Sequence, residues 1–180
     1  MEIIDIVDEN GIPTGETIDR AIAHQTGVRH RTTHIWIVRK KADDIQILLQ
    51  KRSKNKDSFP GCFDISSAGH IPAGDDFVES GLRELKEELG LVVEEDELVE
   101  CGNIHIFTEN EFHGIHYVDS QISKVFLLWK DIEIEDLKLQ TEEIESAMWM
   151  DFQECKKAVE EQSIPTCINL KELELLEEHM

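Results

Sequence analysis

Glu84, Glu87 and Glu88 stand at i, i+3 and i+4 in the sequence, a spacing that makes side chains neighbours on a helix. The apolar residues around them favour that helix. Val78, Leu82, Leu85 and Leu89 recur at spacings of 4, 3 and 4, which at ~100° per residue places all four within roughly 60° of arc, on a face of their own. Like charges at i, i+3 and i+4 repel and weaken an isolated helix. Clustered carboxylates are also the oxygen ligands that hard divalent cations take, and Mg²⁺ so held can bridge to phosphate oxygens, polarise a phosphoryl group and acidify a bound water. A bare E-x-x-E-E pattern is equally what a solvated acidic face looks like, so the flanking residues decide. Arg83 lies four residues after Glu79 and four before Glu87, within reach of either carboxylate. Gly74-Asp75-Asp76 supplies a turn and an acidic cap for the first backbone N–H groups, and Gly90 a residue able to take positive φ at the end. The expected helix is 76–89.

The stretch from Gly69 to Val92, GHIPAGDDFVESGLRELKEELGLV, closely resembles the nudix box, G-x5-E-x7-R-E-U-x-E-E-x-G-U with U aliphatic. Gly69, Arg83, Glu84, Leu85, Glu87, Glu88, Gly90 and Leu91 fall at its positions, and Asp75 stands where the family has Glu, a carboxylate one methylene shorter. The resemblance implies an α/β fold, an αβα sandwich with a mixed central sheet, and a Mg²⁺-dependent hydrolase of diphosphate bonds, with Mn²⁺ as an alternative ion. It implies that Glu84, Glu87 and Glu88 ligate the metal with the backbone carbonyl of Ala68, that Glu84 is also a candidate base, and that Arg83 orients the glutamates. Members of the family add a carboxylate from outside the box, for which Glu109, Glu111, Asp119, Glu142 and Glu143 are the candidates.

Outside the box, LLQKR, then PG, then DISSAGH resembles the isopentenyl-diphosphate isomerase branch of the same superfamily, and most of residues 30–151 can be laid along it. The likeness matches Arg52 and Lys56 to residues that hold a diphosphate, and His34 and His70 to two metal-binding histidines. Two positions depart. Ala68 stands where the isomerase has its catalytic cysteine, and Asp119-Ser120-Gln121 where it has Glu-x-Glu. Neither alanine nor glutamine can transfer a proton at carbon, so isomerase activity is not expected. A sensor that binds a diphosphate without cleaving it is the other alternative; its usual sign, decay of the box glutamates, is absent. From their own context, His34 on an apolar strand reads as a hydrogen-bonded core residue, His70 beside the box glycine as a cleft residue, and Trp36, Trp129 and Trp149 as core or sheet residues.

Composition bounds the partners. The chain has 180 residues, a formal net charge of −21, 40% hydrophobic and 32% charged residues, as expected of a globular chain that phosphate polymers and anionic membranes repel. Against that balance, residues 29–56 hold nine basic side chains and only Asp43 and Asp44 in opposition, a patch suited to a small anion. Cys62, Cys101, Cys155 and Cys167 show no metal spacing and read as reduced thiols. No apolar run approaches the ~20 residues that span a bilayer, and MEIIDIVDENG is not a signal sequence; the expected location is the cytoplasm.

The elements follow from patterning. Residues 1–29 form an N-terminal strand (2–7) and a connector without regular structure beyond a short helix. The core, 30–151, has a hairpin of strands 32–39 and 45–52, a polar loop 53–61, a strand 62–67 running into the box at 69–91, strands 99–108 and 120–130 joined by a polar loop 109–119, an acidic exposed segment and a strand 147–151. The tail 152–180 is helical at 152–161 and 170–178. All belong to one domain. Loops 53–61 and 109–119 are expected to choose the substrate, and exposed Ile3, Ile4 and Ile6 to offer a homodimer surface.

Overall fold

The computed structural model describes residues 1–180. Nine strands and four helices form in chain order: β1 (Ile3–Val7), β2 (Pro13–Asp19), α1 (Arg20–Thr26), β3 (His30–Lys41), β4 (Asp44–Arg52), β5 (Phe63–Asp64), β6 (Ser67–His70), α2 (Phe77–Leu89), β7 (Leu98–Phe112), β8 (Ile115–Trp129), β9 (Ile144–Asp151), α3 (Phe152–Glu161) and α4 (Leu170–Glu177). The main sheet runs β5-β4-β3-β8-β7, with β6 on β3 and β9 on β4. It is mixed: β3 and β8 are parallel and the other pairs antiparallel.

β3 explains the layering. Its first ten residues are all buried, as a central strand covered on both faces requires. Successive side chains alternate faces. Trp36 and Val38 pack with Phe152, Cys155, Val159, Leu173 and Leu176 of α3 and α4, while Ile35 and Ile37 pack with Leu85 and Leu89 of α2 and with Phe126 and Leu128. This is the expected sandwich. Helix α2 matches the expected helix closely: Asp76 caps it by accepting from the Glu79 N–H, and Gly90 ends it at φ 70°. Its stripe is buried fully at Leu85 and Leu89 and partly at Val78 and Leu82. Gly81 seats the helix, since a Cβ there would come within 2.9 Å of Ile35 Cδ1 and 3.0 Å of Thr33 Oγ1.

The N-terminal hairpin braces the turn before α2. Asp5 Oδ2 accepts from Arg31 Nη2 at 3.1 Å and from the Gly74 N–H at 3.0 Å, and the same Arg31 nitrogen donates to the Asp75 carbonyl at 3.0 Å.

Three expectations are corrected. The connector holds a strand, β2, whose polar sequence PTGETID hides it; it pairs only with β1 and is mostly exposed. Residues 109–119 are no loop: β7 and β8 stay paired from Leu98↔Leu128 to Phe112↔Ile115, leaving His113-Gly114 as the turn, both at positive φ. Exposed polar faces on this extended hairpin remove the alternation that a half-buried strand would show. Ile4 is fully buried whereas Ile3 is exposed, so the isoleucines do not form one outward patch. The cysteines are all free, Cys101 and Cys155 buried and Cys62 and Cys167 half-buried. No helix is long and apolar enough to cross a membrane.

Candidate active site

Glu84, Glu87 and Glu88 line one wall of a cleft whose other sides carry Arg20, Gln50, Arg52, Lys56, Asp64, Ala68, Gly69, His70 and Glu143. The box glycine has a steric reason: a Cβ on Gly69 would lie 2.3 Å from Glu84 Cδ, so the carboxyl passes directly over the β6 backbone. Arg83 Nη1 donates to Asp75 Oδ2 at 3.2 Å, and its other nitrogens lie 3.7 Å from Glu84 Oε1 and 4.0 Å from Glu87 Oε1. The shortened box carboxylate Asp75 thus holds the arginine that faces two of the glutamates. Glu88, 6% exposed, has the Gln50 amide at 2.9 Å as its side-chain donor.

These carboxyls are short of positive charge. Burial and then the Glu87 charge push Glu84 up to about 7, against the pull of Arg83. Burial and then Glu84 push Glu88 well above the carboxylate range, against hydrogen bonds from Gln50 and the Ala68 backbone. A group of oxygens held together where ionisation is opposed, beside the Ala68 backbone, fits a hard divalent cation.

The basic residues are partly committed. Arg52 donates through Nε and Nη2 to Ser58 O at 3.1 and 2.8 Å, through Nη2 to Ser58 Oγ at 3.1 Å, and through Nη1 to Asp64 Oδ2 at 2.9 Å. One Nη1 N–H is left for another acceptor. Lys56 pairs with Glu143 across the cleft. The third basic residue, Arg20 at the start of α1, pairs with Glu2 at 3.0 Å.

Behind this basic edge an inner cavity of about 160 Å³ opens, with Thr32, His34, Thr108, Tyr117, Asp119, Gln121 and Glu172 among its walls. Phe59, Phe112 and Tyr117 pack in series, tilted and then edge to face, with centroids 4.7 and 5.5 Å apart, and Phe59 and Tyr117 line the cavity. The turn residue His113 reaches the basic loop at Lys56 O, 2.8 Å away, so the two loop regions expected to meet the substrate do touch.

His70 faces the cleft as expected, but its companions are His24 and His30, not His34. The ligating atoms of these three lie within 4.8 Å of one another, with His24 Nε2 3.2 Å from His70 Nε2. Asp119 Oδ1 lies 3.3 Å from His30 Nε2 and 3.6 Å from His24 Nε2. Burial holds His24 down to about 4 and His70 well below the imidazole range, the neutral form that binds metals. His30 places Nδ1 2.9 Å from the Val28 carbonyl, which makes Nδ1 the donor and leaves Nε2 as a lone pair in the neutral ring. A proton on that atom or a cation beside it would satisfy both it and Asp119 Oδ1, neither of which has a hydrogen bond. Three imidazoles and a carboxylate are a donor set for a divalent transition ion.

His34 is instead a core residue, as its strand context indicated: Nδ1 meets Glu172 Oε1 at 2.8 Å, beside a second bond at 2.8 Å from Trp36 Nε1. Burial opposes its charge, but the Glu172 carboxylate raises it. Trp36 is fully buried; Trp149 stacks under Arg39 at 4.2 Å and Trp129 is 39% exposed. Of the outer carboxylates, Asp119 and Glu143 line the cavities, whereas Glu109, Glu111 and Glu142 do not; Glu109 pairs with exposed His116 at 2.8 Å.

Sequence reading missed Arg20 and His24 in the connector and His30 at the start of β3, which stand at no recognisable spacing, and Glu172. For Glu172 a signal exists: in α4 it shares the buried face with Leu173 and Leu176, and a carboxylate on an apolar stripe asks for a buried partner.

A NUDIX domain profile matches residues 28–167. An uncharacterised Nudix hydrolase of Clostridium acetobutylicum is 37% identical over 143 residues, covering 79% of this chain and 66% of that protein. Nudix hydrolase 3 of Arabidopsis thaliana is 37% identical over 161 residues, covering 85% of this chain and 20% of that protein. The chain therefore spans under two thirds of the length of these relatives. The crystal structure of DR0079 from Deinococcus radiodurans superposes with a TM-score of 0.65 at 20% identity over 88% of each chain, which shows the fold. With its box glycine, arginine and glutamates set on the strand-end, turn and helix described above, the chain belongs to the Nudix family.

Proposed function

We propose that this chain hydrolyses a diphosphate linkage in a small metabolite with Mg²⁺, or Mn²⁺ in its place. The observation that carries this reading is the layout of the cleft: three carboxyls short of positive charge on one wall face Arg20, Arg52 and Lys56 on the other. Glu84, Glu87, Glu88 and the Ala68 carbonyl would hold the metal, which when bound supplies Lewis-acid polarisation of a phosphoryl oxygen and a more acidic water. Arg83 restrains Glu84 and Glu87 from one side and is itself held by Asp75. Lys56, Arg20 and the free N–H of Arg52 supply donors for diphosphate oxygens, and His70 lies at the same edge. Glu84, in the same cluster, is also the candidate base for the attacking water.

The isomerase-like frame does not carry isomerisation. Ala68 offers a methyl group, and the Gln121 side chain is engaged with Thr32, Ser123 and Asp119. The reading keeps the chain in the cytoplasm, with a small diphosphate substrate as its partner. The test is phosphate release with Mg²⁺ from nucleoside di- and triphosphates, ADP-ribose, dinucleotide polyphosphates, prenyl diphosphates and thiamine diphosphate. Turnover of at least one, abolished by EDTA, is expected; binding of one of them without turnover would establish the sensor instead.

A further inference from the structure

The cleft and the inner cavity share Arg20, Arg52, Lys56, Ala68, Gly69 and His70, so a diphosphate at that basic edge would send its remaining group into the cavity. The character of the cavity follows from which polar groups are already satisfied. Thr32 Oγ1, Gln121 Oε1 and Ser123 Oγ bond one another at 2.5–3.1 Å, and Asp64 takes Arg52 on one oxygen and the Ile65 N–H on the other. What is left over is mainly acceptor capacity. Glu172, 1% exposed, receives both of its hydrogen bonds on Oε1. Asp119 Oδ1 and the Thr108 hydroxyl also lack a hydrogen bond but are themselves buried, Oδ1 lying against His30 and His24, so the acceptor on the cavity wall is Glu172.

The charges grade the same way. Arg20, Arg52 and Lys56 stand at the shared edge, while Asp119 and Glu172 belong to the inner cavity alone. Asp64 is offset by Arg52 and Glu172 by His34, while Asp119 turns Oδ1 to His30 and His24, so Glu172 is left to take a neutral donor.

Resting on the hydrolase reading, we propose that the inner cavity takes a hydroxyl-bearing group, such as a polyol or sugar, an O–H group of which donates to Glu172. A hydrocarbon there would strip water from this acceptor and return nothing, and a site built to bond a hydroxyl rejects the analogue lacking it strongly. Glu172 lies beyond residues 28–167 that match the family, so the specificity comes from the C-terminal helix rather than from the box.

The test is phosphate release with Mg²⁺ from ribitol 5-diphosphate and from n-pentyl diphosphate, which share a carbon count and differ in hydroxyls. A kcat/KM at least ~100-fold higher for the ribitol compound is expected, with Glu172→Gln shrinking that ratio about ten-fold through KM while its circular dichroism melt reports that the fold is kept. The wild-type ratio stands even where the variant does not fold. Equal or better turnover of the pentyl compound overturns the inference and leaves the hydrolase reading intact, as does turnover of other diphosphates but of neither of these. Absence of turnover for every diphosphate removes the hydrolase reading and this inference with it.

Discussion

The acidic wall on α2 and the inner cavity beside it are both rich in buried ionisable groups, yet they are built on opposite principles. On the wall, Glu84 and Glu88 are gathered where burial and mutual repulsion oppose their ionisation, and the nearby Arg83 is shared among three carboxylates. In the cavity the carboxylate of Glu172 is met by His34 and Trp36, and Thr32, Gln121 and Ser123 satisfy one another. One region stores a deficit that a bound cation would relieve; the other is largely closed upon itself and lends stability to the sheet. Substitutions in the two should therefore move stability in opposite directions.

The sharpest break is at the wall. Glu88→Gln and Glu87→Gln are expected to lower kcat about 10³-fold, the several kcal/mol that a metal-held site supplies. The melting temperature of metal-free Glu88→Gln should stay level or rise, because the amide replaces a carboxyl whose ionisation burial and Glu84 oppose. A marked fall would mean that the wall is structurally satisfied after all.

Next in size is the cavity. Glu172→Leu leaves the His34 and Trp36 N–H groups without an acceptor in a buried place and is expected to cost about 3 kcal/mol in urea denaturation; an unchanged midpoint would erase the contrast.

A smaller effect comes from pH. The folded Glu84 carboxyl sits near 7, above its unfolded value near 4.5, so the folded state holds the extra proton between those values. Metal-free stability then falls as pH rises from about 4.5 through 7, by on the order of 2 kcal/mol. Saturating Mg²⁺ should raise the melting temperature more at pH 8 than at pH 5.5. Equal shifts at the two pH values would detach the carboxyls from the metal.

The smallest is Asp75→Ala. Its pair with Arg83 is one-third exposed on both sides, and such pairs contribute no more than about 1 kcal/mol, so a loss of kcat within about five-fold with unchanged KM is expected.

The same contrast explains what could be read beforehand. The acidic wall comes from one helix, where i, i+3 and i+4 fix the geometry and the caps Asp76 and Gly90 are visible as residue types. The cavity draws Arg20 from α1, Thr32 and His34 from β3, Asp119 and Gln121 from β8 and Glu172 from α4, and no local periodicity links residues 138 positions apart in sequence. His34 was correctly placed as a core residue because its neighbours on the strand are apolar, but its partner in α4 could be found only in three dimensions. The extended β7–β8 hairpin was truncated in the sequence reading because two-sided exposure erases strand alternation, and β2 was lost for the same reason. Gly69 was legible as a position and not as a cause: only the structure shows the Glu84 carboxyl lying across it.

The pleat of β3 gives the two regions separate addresses. Thr33 and Ile35 form the seat on which Gly81 of α2 rests, whereas Thr32 and His34 face the cavity. Neighbouring residues on one strand thus serve different regions, and on the proposed reading substitutions at Thr32 or His34 would alter the cavity without unseating α2 from Thr33 and Ile35.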